Sequence, residues 1–234
     1  MAEDKLPRFI EDDDVARAKA FWNENGKSIV AGVIIGLGGI VGFNYWKSYQ
    51  QTEGENASFL FDRLSSGQND IDHDIDMNSV ADELKEKYAS TVYADLAALA
   101  MAKQFVEKND LAAAARELNW VMDHSKDSGF QHIARLRLAA VALAQQRPDQ
   151  ALAILTITDT GGFESRYHEL TADAYAQRGQ ATKNQGAENI TAENQDEDNE
   201  RARLEYQKSL ETLPDGSSHA GLIQLKRDNV GESP

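Results

Sequence analysis

Residues 93–124 read YADLAALAMAKQFVEKNDLAAAARELNWVMDH, and the fold turns on how this stretch is read. Its apolar residues return every three or four places, the period of a helix that buries one face. The polar run Glu107-Lys108-Asn109-Asp110 interrupts that period and predicts a helix, a break and a second helix. Two further breaks are read in the same way, Gln145-Gln146-Arg147-Pro148-Asp149 and Arg178-Gly179-Gln180. No alternating strand pattern competes anywhere in this half of the chain, which places it in the all-α class.

Each break separates an Ala-rich helix from a helix that opens with Ala and carries a larger residue four places on. The pairs are Ala114 with Leu118, Ala151 with Leu155 and Ala202 with Tyr206. In the first helices Ala102, Ala139 and Ala172 each stand seven residues before Asn109, Gln146 and Gly179. Small residues at these places let paired helices approach closely. The second-helix alanines are 37 and 51 residues apart, and removing a polar insert of about 17 residues from the longer interval leaves the tetratricopeptide period of about 34. That insert is 183–200, KNQGAENITAENQDEDNE. Its composition predicts a disordered excursion whose removal costs little.

Working outward, 50–92 is expected to supply one or two helices covering the amino-terminal end of the stack, and Ser218–Lys226 a final capping helix. Farther upstream lies SIVAGVIIGLGGIVGFNYW, residues 28–46, which is free of charge and bracketed by Lys27 and Lys47. Nineteen helical residues rise about 28 Å, close to the hydrocarbon thickness of a bilayer, and Tyr45 and Trp46 suit its interface. The expectation is a transmembrane helix. A cleaved signal peptide fits poorly, because 27 residues precede the apolar run and no small-residue cleavage site follows Trp46. Arg8, Arg17, Lys19 and Lys27 precede the span, while only Lys47 and Arg63 follow it closely. This asymmetry puts the amino terminus in the cytoplasm and exports the remainder. Ser28, Gly32, Gly36 and Gly39 share one helix face, a strip where a second membrane helix could pack closely. The expected organisation is 1–27 cytoplasmic, 28–46 in the membrane, 47–92 juxtamembrane and capping, 93–213 repeats including the insert, and 214–234 a capping helix and tail.

Across 234 residues, 39 Asp+Glu outnumber 24 Lys+Arg for a net charge of −15, which disfavours general nucleic-acid binding. With no Cys, thiol catalysis, Cys-ligated zinc and iron–sulfur clusters are excluded. Gly26-Lys27-Ser28 ends like a phosphate loop, but Phe21 occupies the first glycine position. His168-Glu169 opens like a zinc-protease helix, yet Ala172 stands where the second His is needed. Asp72, Asp74, Asp76 and Glu83 have calcium-loop spacing, but Met77 takes the place of the turn glycine. The simpler reading of that acidic run is a solvated turn ahead of a helix from Ser79. Neither a catalytic constellation nor a cofactor is expected.

Phe21-Trp22-Asn23-Glu24-Asn25-Gly26-Lys27 and the apolar run behind it resemble the anchor of the bacterial YfgM family of ancillary Sec translocon subunits. The similarity continues through Ala102–Asn109, Gly179 and Gln224-Leu225-Lys226. The resemblance implies a non-enzymatic, single-pass inner-membrane protein with a periplasmic tetratricopeptide-like domain. Its partners would be the Sec translocon, a membrane-anchored periplasmic prolyl-isomerase-like chaperone, and the exported clients passed to it. Without the resemblance, the sequence equally fits a repeat scaffold for envelope assembly or cell division. An anchored hydrolase is disfavoured by the missing motifs.

Overall fold

The computed structural model describes residues 11–67, 76–185 and 192–231, all helix, turn or loop. The helices are α1 (Glu11–Gly67), α2 (Met77–Lys87), α3 (Val92–Glu107), α4 (Leu111–His124), α5 (Ser128–Ala144), α6 (Pro148–Leu155), α7 (Glu164–Gln185), α8 (Ala192–Glu211) and α9 (Ala220–Asp228). They form two compact units, 1–53 and 54–234, and α1 contributes to both.

In the first unit α1 carries the apolar span. Its side chains stay uncovered, with Ile34 65% and Ile35 74% exposed, and its most apolar window is 6% buried. Among the described residues this is the one helix long and apolar enough to cross a membrane. A core helix would have its apolar side chains packed against other elements. An uncovered apolar helix of this length is a candidate to span a bilayer.

The second unit stacks helices so that each apolar cluster joins sequence neighbours, as in repeat proteins. Ala57, Leu60 and Leu64 pack with Val80, Ala81 and Leu84 of α2 and with Ala97 and Met101 of α3. The next cluster joins α3, α4 and α5 through Ala98, Ala102, Ala114, Leu118, Ala134 and Leu138. A third joins α5, α6 and α7. The last joins α7, α8 and the carboxyl-terminal segment through Ala172, Ala202, Tyr206, Ile223 and Val230.

The first two breaks share one closure. Asn109 and Gln146 adopt left-handed φ of 60° and 58°. The following N–H groups of Asp110 and Arg147 reach back to the carbonyls of Phe105 and Ala142 at 2.8 and 3.0 Å, satisfying carbonyls that a helix end leaves open. Asp110 then caps α4, accepting from the Ala113 N–H at 2.9 Å. In the second break Pro148 opens α6, where a missing N–H costs nothing.

Three sequence expectations need correction. The third break does not exist, because α7 runs unbroken through Gly179 to Gln185. That glycine serves helix crossing: an added Cβ would stand 2.9 Å from Asn199 Oδ1 and 3.5 Å from Asp198 Cβ on α8. Nor is 183–200 an excursion throughout, since 183–185 end α7 and 192–200 open α8, while 186–191 lie outside the described residues. Asp198 and Asn199 are each 7% exposed. Burial of Asp198 is possible because Arg178 donates to both its carboxylate oxygens, at 2.6 and 2.8 Å. Finally, the helix expected from Ser79 starts at Met77, capped by Asp76, whose carboxylate accepts from the Asn78 N–H at 3.1 Å.

Candidate functional site

The alanines read as packing positions lie inside the stack. Ala114, Ala139, Ala151, Ala172 and Ala202 are fully buried and Ala102 is 2% exposed. Ala102, Ala114 and Leu118 share one cluster, Ala139, Ala151 and Leu155 the next, and Ala172, Ala202 and Tyr206 the last. They bring neighbouring helices close and leave other side chains to meet partners. The Tyr206 hydroxyl donates to Asp173 Oδ1 at 2.6 Å, and its pKa is raised by burial and by that carboxylate.

A groove of about 470 Å³ opens between α3 and α5 above α4. Leu111 and Leu118 lie in its floor, with Val106 on one wall and Ala140 and Ala144 on the other. Small side chains on the α5 wall leave the space, and Val106 is 44% exposed. Lys103, Glu107 and Arg137 form its charged rim. Sequence reading named Ala102 and Leu118 of this lining as packing positions only and missed Val106, Ala140 and Ala144, because it counted only the core stripe of each helix. The signal that could have found it is Val106 four places after Ala102 near the end of α3, with Ala140 and Ala144 four apart near the end of α5.

At the other end of the stack Glu169, 1% exposed, gathers two cations and an imidazole. Lys226 donates to it at 2.8 Å, His219 lies 2.9 Å away, and Arg166 binds it directly. Burial alone would push its carboxyl pKa up, but hydrogen bonds from Lys226, Arg166 and His219 outweigh that and hold it at about 2. Lys226 also reaches both oxygens of Asp173, at 2.9 and 3.0 Å. This network ties α9 to α7. His168 stands beside it with Nδ1 2.6 Å from Glu205 Oε2, so the residue that sequence motifs liken to a metal ligand is engaged in a hydrogen bond between α7 and α8. Among the described residues no three His, Asp or Glu are grouped to hold a metal. Asp76 and Glu83 of the calcium-like run are committed to the α2 cap and to Lys87 at 2.9 Å, while Asp72 and Asp74 lie outside the described residues.

On α1, Ser28 is exposed, and a Cβ added at Gly32, Gly36 or Gly39 would meet nothing within 4 Å. The strip is bare.

Residues 19–195 match the profile of the tetratricopeptide repeat-like domain. An ancillary SecYEG translocon subunit of Haemophilus influenzae is 32% identical over 170 residues, covering 72% of this chain and 82% of that protein. Its Escherichia coli K12 counterpart is 31% identical, covering 72% and 81%. The Aggregatibacter actinomycetemcomitans protein of the same name is 29% identical over 223 residues, covering 94% and 97%. No solved structure matches the chain.

Proposed function

The chain belongs to the family of ancillary SecYEG translocon subunits with a tetratricopeptide repeat-like domain, and from that premise we propose that it is a membrane-anchored accessory of the Sec translocon. It acts by binding and performs no chemistry of its own. The amino terminus faces the cytoplasm, α1 holds the protein in the inner membrane, and the repeats stand in the periplasm. There they pass emerging exported proteins to a membrane-anchored prolyl-isomerase-like chaperone. Ser28, Gly32, Gly36 and Gly39 supply the close-packing face within the bilayer, since dispersion between closely approaching backbones is a main attraction left to helices in lipid. The observation that carries this reading is the extent of the match to the Aggregatibacter relative, 94% of this chain, which takes in anchor and repeats together.

The test divides the protein at the membrane. Replacing Gly32 and Gly36 with Leu fills the bare strip while keeping the span apolar, so the variant should stay in the membrane and fold. It should co-purify less SecYEG in mild detergent than the parent chain. Alkaline phosphatase fused after Lys87 should be active in a Gram-negative host. An inactive, stable fusion overturns the orientation. Failure of the parent chain to recover SecYEG above an unrelated single-pass control overturns the translocon role.

A further inference from the structure

We propose that the groove between α3 and α5 receives an extended apolar peptide segment bearing a carboxylate, with Arg137 as the partner of that carboxylate. This rests on the reading above and names what the repeats hold. The volume, about 470 Å³, falls in the range of ligand-binding clefts, about 300–1,000 Å³. Its walls are apolar where they are accessible: Val106 at the last turn of α3 faces Ala140 and the exposed Ala144 of α5.

Charge selects the occupant. Arg137 is exposed between buried Leu136 and Leu138 and has no hydrogen-bond or ion-pair partner among the described residues. Arg166 and Arg178, in contrast, are paired with carboxylates. Lys103 across the groove is 72% exposed and lies 3.7 Å from Glu107, too far for a hydrogen bond. In a chain of net charge −15, a guanidinium without a partner among the described residues, set beside an apolar groove, favours an anion at that rim. The groove is open on one side, which suits a peptide. An extended backbone keeps its remaining N–H and C=O groups in water, whereas an acyl chain in the same place would leave methylenes exposed.

The test uses the full chain in lipid nanodiscs, with empty nanodiscs as background, and hexapeptides of sequence Asp-Leu-Val-Ala-Leu-Ala and its Asn- and Lys-headed versions, each with a carboxyl-terminal amide and an uncharged fluorophore on its amino terminus, so that the head residue alone sets the charge. At low salt the Asp peptide should bind about ten-fold tighter than the Lys peptide, and the gap should shrink at high ionic strength. Arg137→Glu should reverse the preference, and Ala144→Trp, at an exposed position, should abolish binding of all three without lowering the melting temperature. Equal binding of the three peptides, or indifference to Arg137→Glu, overturns the proposal. Tighter binding of octyl phosphate than of the Asp peptide also overturns it and assigns the groove to a lipid. SecYEG co-purification with the parent chain separates the two readings: SecYEG recovered without peptide binding removes the groove assignment alone, and peptide binding without SecYEG removes the translocon reading alone.

Discussion

Gly179 on α7 and Asn199 on α8 approach so closely that a Cβ on the glycine would stand 2.9 Å from the Asn199 Oδ1. Asn199 is itself confined by Gly231, where a Cβ would lie 3.1 Å from its Nδ2. Gly179→Ala is expected to be nearly neutral, because a helix-propensity gain of about 1 kcal/mol offsets displacement of the Asn199 amide. Gly179→Leu should destabilise by about 2 kcal/mol through overpacking. Thermal melts of the full chain, followed by far-ultraviolet circular dichroism, check both.

Removing 183–200 should unfold or strongly destabilise the carboxyl-terminal end of the stack. The deletion takes Asp198 from Arg178 and the first turns from α8. Asp198→Ala alone should cost about 1–2 kcal/mol, since Arg178 keeps Asp149 at 2.9 Å. Hydrogen exchange across α7 and α8 should show lost protection in the deletion and a smaller loss in the point variant.

Acid should loosen α9. The folded pKa of Glu169, about 2, lies below the ordinary glutamate value of about 4.3, so its contribution is fully present above that value and is lost as pH falls from about 4.3 toward 2. The linked stability is about 3 kcal/mol. Lys226→Met should destabilise by about 2 kcal/mol at neutral pH and flatten the acid limb, because Glu169 then keeps only Arg166 and His219. Denaturant melts between pH 2 and 7 measure both effects.

Asp95 works in the opposite sense. It is 5% exposed and accepts from the Ser125 hydroxyl at 2.8 Å, while its other oxygen lacks a hydrogen bond. Burial raises its pKa, Asp127 adds to the rise, and Ser125 and His124 oppose it. A raised folded pKa means that ionisation costs stability at neutral pH, a cost that fades as pH falls through the folded value. Asp95→Asn should therefore stabilise the chain by about 1 kcal/mol at pH 7, with the gain vanishing in acid. The difference in melting temperature between the two proteins, followed against pH, tests this.

The first two breaks were legible because they carry their own chemistry. Asn109 and Gln146 take left-handed φ ahead of an Asp cap and a Pro respectively. Gly179 looks like the same punctuation and is not, since a glycine ends a helix only when the backbone turns there and otherwise marks a close approach. Composition likewise misread Asp198, because a carboxylate can be buried once Arg178 is brought to it, twenty residues away in sequence.

The sequence alone determined what periodicity and local chemistry encode: an all-α chain, an apolar span long enough for a bilayer, and helices paired in tandem. Only the tertiary structure decided which polar residues are inside and which apolar ones are left out. Glu169 is buried because Lys226 and His219, 57 and 50 residues away, come back to it. The α3–α5 groove exists because two helices from neighbouring pairs set Val106 across from Ala140 and Ala144. Burial and exposure of this kind depend on what lies opposite a side chain, and a linear pattern records only what lies beside it.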